Sequence, residues 1–208
     1  MPNSEPNADC YSKIDRKMMI WFQNVRAKNL KPLLLLLTKW KLKADSISGI
    51  SLFTGILAVA AFKWNITVAF ILLLLHIILD GLDGPLARFR KEATAGGSFV
   101  DSCCDQMVVA LTTLVFVQMG ILVPTLAGFY VFAYTVVVAF SMIRNAIEIP
   151  YSFLIRPRFF FYIAAFIELF WLPGTLNIAC ILFTLILIFH MLCGFFALRK
   201  YLQQKRHD

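Results

Sequence analysis

The sequence predicts an all-α membrane protein, with six transmembrane helices preceded by an amphipathic helix lying in the membrane interface. Three observations carry that expectation. Of the 208 residues, 60% are hydrophobic and only 15% charged, and the mean hydropathy is +0.75. A soluble domain averages about 45–50% apolar and about 25% charged, so the polar residues here are too few to clothe a soluble surface. The apolar residues gather into six long runs separated by short polar breaks, and the basic residues sit almost wholly on one side of those runs.

The first 45 residues are polar, then basic. No apolar core of a leader and no small-residue cleavage site occurs in the first thirty, so a removed signal peptide is not expected. Within residues 12–30, Ile14, Met18, Trp21, Phe22 and Val25 recur at helical spacing among Lys13, Arg16, Lys17, Arg26 and Lys28. That is the pattern of a helix lying in the interface, its aromatic residues anchored and its cations facing anionic lipid. Residues 1–45 therefore form a cytoplasmic segment, 46–198 the membrane domain and 199–208 a basic cytoplasmic tail.

The apolar runs cover residues 46–62, 66–87, 99–119, 123–143, 159–172 and 175–198. A spanning helix needs about 20 apolar residues, within a range of about 17–25. The fifth run is short, and its span is expected to borrow flanking residues. Lipid offers the backbone no hydrogen bonds and the runs are too long for barrel strands, so they are helices. With both termini inside, nineteen of the 20 Lys and Arg face the cytoplasm and only Lys63 lies outside. This bias sets the orientation and accounts for the net charge of +8 without any nucleic acid. The five cysteines (Cys10, Cys103, Cys104, Cys180 and Cys193) contain no CxxC pair and read as small apolar fillers rather than a disulfide framework.

Against this background four aspartates stand out. The second run ends on Asp80-Gly81-Leu82-Asp83-Gly84-Pro85-Leu86-Ala87-Arg88, and the third opens with Gly97, Asp101 and Asp105. Ionisable residues in membrane spans are costly and mark function by default. Asp80 and Asp83 share one helix face at i, i+3, as do Asp101 and Asp105 at i, i+4. A loop of about ten residues can fold the third helix antiparallel onto the second, gathering all four carboxylates near the cytoplasmic ends. Such a group must be protonated or neutralised by cations. Hard oxygen ligands without His or Cys select Mg²⁺, Mn²⁺ or Ca²⁺. An EF-hand loop from Asp80 fails, because Leu82, Gly84, Pro85 and Lys91 occupy its ligand and glycine positions.

The pattern D-x-x-D-G-x-x-A-R-x8-G-x3-D-x3-D resembles the signature of the CDP-alcohol phosphatidyltransferases, and every fixed position is present. Eight specified positions match by chance once in ~10¹⁰ placements. The resemblance implies transfer of a phosphatidyl-type group from a CDP-alcohol, such as CDP-diacylglycerol, to an alcohol with release of CMP. It further implies two Mg²⁺ (or Mn²⁺) ions held by Asp80, Asp83, Asp101 and Asp105, with Asp105 as general base. Asp80, Gly84, Ala87, Arg88 and Gly97 would hold the CDP-alcohol, and the chain would form a homodimer. Relatives often carry P-N-x-x-T before the first span, where this chain has Ala44-Asp45-Ser46-Ile47-Ser48; whether Asp45 and Ser48 touch the nucleotide is open at this stage. Arg144, Arg156 and Arg158, offset only by Glu148, offer a pocket for a phosphorylated acceptor or are ordinary cytoplasmic-side charge. An Asp-motif intramembrane prenyltransferase and a cation-coupled transporter are the competing functions. The first carries a different Asp spacing, and the second has no need of Gly84, Ala87, Arg88 and Gly97 at these offsets.

The remaining polar residues read as structural. His76 is one turn before Asp80, Glu168 lies near the outer end of the fifth run, and His190 lies in the sixth. Asn65-Ile66-Thr67 matches a glycosylation acceptor but abuts the membrane on a very short loop. The orientation is directly testable: tags on either terminus should be reachable only from the cytoplasm and a cysteine beside Lys63 only from outside. Opposite labelling of the two termini would mean an odd number of spans.

Overall fold

The computed structural model describes residues 30–40 and 42–204. Among them every regular element is a helix: α1 (30–39), α2 (Ala44–Ala61), α3 (Ile66–Phe89), α4 (Ala95–Gln118), α5 (Pro124–Ala146), α6 (Arg158–Phe170) and α7 (Thr175–Gln204). The expected interfacial helix at 12–30 lies outside the described residues except for Leu30, which opens α1. The chain divides into two compact units at Thr112/Thr113.

The N-terminal unit is built on the packing of α2 against α3. Leu34 of α1, Ile47 of α2 and Leu86 of α3 make a buried apolar knot, joined by Leu37, Leu79 and Leu82. Arg90 adds a polar tie, donating to the Leu42 carbonyl at 2.8 Å while pairing with Glu92 at 3.0 Å. Further along α2, the Ser51 hydroxyl lies 2.9 Å from Nδ1 of the buried His76. One turn later Gly55 admits the helices closely: a Cβ there would come within 2.6 Å of Val108 Cγ2 and 3.3 Å of His76 Nδ1. At the α2–α3 turn, Phe62 and Phe70 meet edge to face at 5.3 Å, and the Asn65 side chain caps α3 by accepting from the Val68 N–H. The oxygen of the sequon's asparagine is thus engaged in folding.

In the C-terminal unit α7 packs against both α5 and α6. Its centre is aromatic, with Tyr130 stacked on Phe161 at 4.8 Å and Phe116 at 6.0 Å from the same ring. The Asn177 side chain accepts from Val123 N–H and donates to the Ile121 carbonyl, tying the α4–α5 turn to α7. Glu168 accepts from the N–H groups of Gly174 and Leu176, so its charge sits at the start of α7, where a helix dipole favours an anion. Large side chains such as Leu185 (61% exposed) and Phe189 (64%) point outward, as lipid-facing residues do.

Among the described residues five helices, α2 to α5 and α7, are long and apolar enough to cross a membrane. The fifth run departs from expectation. Helix α6 has 13 residues, about 20 Å of rise against a hydrocarbon core of about 30 Å; it takes only Arg158 from its flanks and stops short of Trp171 and Leu172. Pro157 stands at its start, and Pro173 with Gly174 at φ +93° follows its end; proline cannot extend a helix backwards or continue it. At the other extreme α7 runs on to Gln204 and takes in Arg199 and Lys200. The Gly55 contact predicts that Gly55→Val overpacks the α2–α3–α4 junction at a cost of about 1–3 kcal/mol or more. Thermal unfolding in detergent checks this, and an unchanged melting temperature would contradict the close approach.

Candidate active site

The hairpin from α3 to α4 places the four aspartates. Helix α3 ends in a Schellman-type closure: Lys91 adopts φ +59°, its N–H reaches the Arg88 carbonyl, and the Glu92 N–H reaches Ala87 at 2.8 Å. Two residues later the Thr94 hydroxyl accepts from the Gly97 N–H at 3.0 Å and caps α4. Both helix ends are closed within this short connection, and the reversal carries Asp101 and Asp105 of α4 back toward Asp80 of α3.

Carboxylate oxygens of Asp80, Asp101 and Asp105 come within 4.8 Å of one another. Hard divalent cations hold oxygen ligands at roughly 2.0–2.6 Å, so two ligands of one ion lie up to about 5 Å apart. The group fits such an ion in donor chemistry and in spacing. Asp83, the fourth aspartate, is arranged differently. It is 6% exposed, and its two oxygens are taken separately, one by the Gly84 N–H and the other by the Ser48 hydroxyl at 2.6 Å.

Beside this group opens a cleft of about 90 Å³ lined by Ser48, Asp83, Gly84, Ala87, Arg88, Gly97 and Asp101, with Asp45, Glu92 and Thr94 at its margin. Four of the five residues expected to hold the CDP-alcohol line it. Asp80 belongs instead to the three-carboxylate group, and Asp101 is common to both. A Cβ at Gly84 would sit 3.3 Å from the Arg88 guanidinium, and one at Gly97 would sit 3.3 Å from Thr94 Oγ1. Glycine keeps the floor low where the backbone borders the cleft. His76 is held to Ser51 by both its hydroxyl and its carbonyl, a tie between α2 and α3.

The three arginines expected at an acceptor pocket belong to the C-terminal unit. Arg144 is engaged in shaping the α5–α6 connection: it donates to the Ile149 and Pro150 carbonyls and lies 3.9 Å over the Tyr151 ring. Tyr151 in turn donates to the His190 carbonyl at 3.0 Å. Burial pushes its phenol above the usual range, with Arg144 pulling the other way. Arg158 lies over the Phe159 ring at 4.8 Å.

Sequence reasoning left Ser48 without a role. The only signal was the hydroxyl at the last position of the stretch that aligns with P-N-x-x-T, and its partner Asp83 is 35 residues away.

The CDP-alcohol phosphatidyltransferase family model matches residues 42–200, taking in the hairpin, the cleft and both units. This chain belongs to that family. Among curated proteins it is 36% identical over 94 residues to Inner membrane protein YnjF of Escherichia coli, covering 42% of this chain and 45% of that one. It is 31% identical over 101 residues to an uncharacterized protein of Aquifex aeolicus, covering 48% and 50% respectively. The chain thus spans about half the length of the curated relatives it matches. Membership and the apolar helices make it a multi-pass integral membrane protein of an enzyme family that works with divalent metal, and the aspartate group is where an ion fits. Removing one ligand should show this: Asp101→Asn is expected to raise the Mg²⁺ concentration for half-maximal activity by more than about tenfold, since even outer-shell partners are worth about 10–100-fold in metal affinity. An unchanged Mg²⁺ requirement would exclude Asp101 as a ligand.

Proposed function

We propose that this CDP-alcohol phosphatidyltransferase moves a phosphatidyl-type group from a CDP-diacylglycerol-type lipid to an alcohol acceptor, releasing CMP on the cytoplasmic side of the membrane. The observation that carries the reading is the three-carboxylate group of Asp80, Asp101 and Asp105 next to a cleft lined by Gly84, Ala87, Arg88 and Gly97. A transporter needs the carboxylates but not that cleft.

Phosphoryl transfer is mostly positioning and neutralisation of charge. In the proposed reaction the acceptor oxygen forms a bond to the β-phosphorus of the CDP-lipid, the bond from that phosphorus to CMP breaks, and CMP leaves with the electron pair. Asp105 takes the proton of the attacking hydroxyl, which must lie within hydrogen-bond reach of it. Arg88 borders the cleft with a planar fork suited to a diphosphate, while Gly84, Ala87 and Gly97 leave room for the nucleotide. Mg²⁺ or Mn²⁺ on Asp80, Asp83, Asp101 and Asp105, two ions in all, would supply neutralisation of the phosphate oxygens. Arg156 and Arg158, with Arg144 securing their segment, suit a phosphorylated acceptor. In this reading α6 completes six crossings, and both termini face the cytoplasm, as the placement of Lys63 favours.

The test is release of CMP from labelled CDP-diacylglycerol by the purified protein across a panel of free and phosphorylated alcohols. Release that requires an acceptor supports the proposal; none with any acceptor, in the presence of Mg²⁺ or Mn²⁺, refutes it. Within that assay Asp105→Asn should lower kcat by about 10²–10⁴-fold, the worth of a positioned base, with a smaller change in metal requirement than Asp101→Asn. Near-normal turnover of Asp105→Asn would remove Asp105 as the base.

A further inference from the structure

The Ser48–Asp83 hydrogen bond has the marks of a designed support. At 2.6 Å it falls in the range of charge-assisted O–H···O⁻ bonds, about 2.5–2.7 Å. The serine hydroxyl has one proton and a second acceptor within reach, the Ala44 carbonyl one helical turn back, but that contact is long at 3.3 Å. The proton therefore belongs to Asp83. With the Gly84 N–H on the other oxygen, two donors from two different helices define the plane of the carboxylate. Both Ser48 and Asp83 face the cleft, together with Asp101, and Asp83 lies near enough to Asp80 to be repelled by it. An unrestrained carboxylate in that position would turn away from Asp80.

We infer that Ser48 is a positioning residue: its hydroxyl holds Asp83 as the fourth oxygen ligand beside Asp80, Asp101 and Asp105, and so sets the affinity of the site for divalent cations. The inference rests on the metal-dependent transferase reading above. Outer partners that orient a ligating carboxylate are worth about 10–100-fold in metal affinity, and that is the size of effect expected here. Ser48 would act through Asp83, without touching the reacting groups.

Binding of Mn²⁺ to the purified, metal-stripped protein, read by electron paramagnetic resonance, tests this without turnover. Ser48→Ala should weaken Mn²⁺ by about 10-fold or more, whereas Ser48→Thr, which keeps the hydroxyl, should bind close to wild type. Ser51→Ala is the control. It removes another α2–α3 hydrogen bond, to His76, so it should lower the melting temperature yet leave Mn²⁺ affinity unchanged. In an Asp83→Asn background, Ser48→Ala should cost nothing further, because its partner carboxylate is already gone. Unchanged Mn²⁺ affinity in Ser48→Ala, an equal loss in Ser51→Ala, or a full additional loss on top of Asp83→Asn would each overturn the assignment. Unchanged affinity in Asp80→Asn is a different failure: it would sink the cation site itself, and the role of Ser48 with it.

Discussion

Four carboxylates at the edge of a membrane repel one another, and everything around them is arranged so that they can nevertheless meet. The decisive element is the tight closure between α3 and α4. Lys91 takes a left-handed conformation that non-glycine residues seldom adopt, Glu92 caps the carbonyl of Ala87, and Thr94 caps the start of α4. Without that reversal Asp80 and Asp83 would lie on one helix and Asp101 and Asp105 on another, with no common focus. With it, three of them come within 4.8 Å, at a spacing whose repulsion a hard cation relieves. The motif's glycines serve the same end, since they border the cleft where side chains would obstruct a ligand.

Helix α2 supports this hairpin from the side. It meets α3 at three successive levels: Ile47 with Leu86 in the apolar knot, Ser48 on Asp83, and Ser51 on His76. Gly55 then allows close approach at the next turn. The order is physically sensible. Apolar contact and a buried Ser–His pair bracket the Ser48–Asp83 hydrogen bond, so the Ser48 hydroxyl is presented by a helix already held on both sides.

Most other polar groups in the apolar helices serve the fold. Asn65 caps α3, Glu168 receives the first N–H groups of α7, and Asn177 stitches the α4–α5 turn to α7. Each satisfies backbone groups that lipid cannot, which is the condition for leaving such residues within or beside a span. Arg144 also belongs in part to this class, through the Ile149 and Pro150 carbonyls and the Tyr151 ring.

Composition and hydropathy determined a helical membrane protein, because a bilayer permits few other solutions to a chain with these long apolar runs. The spacing of Asp80, Asp83, Asp101 and Asp105 likewise determined which residues share a helix face, since the α-helical period is fixed by backbone geometry. The tertiary structure decided what periodicity cannot reach. It paired Asp83 with Ser48, beside the three aspartates whose oxygens lie within 4.8 Å of one another, because that pairing depends on which face α2 turns to α3. It held α6 to 13 residues, because proline at Pro157 and Pro173 overrides the hydropathy of the residues between. It drew Arg144 into the α5–α6 connection, because two carbonyls and a tyrosine ring were within reach of its guanidinium only once the chain had turned.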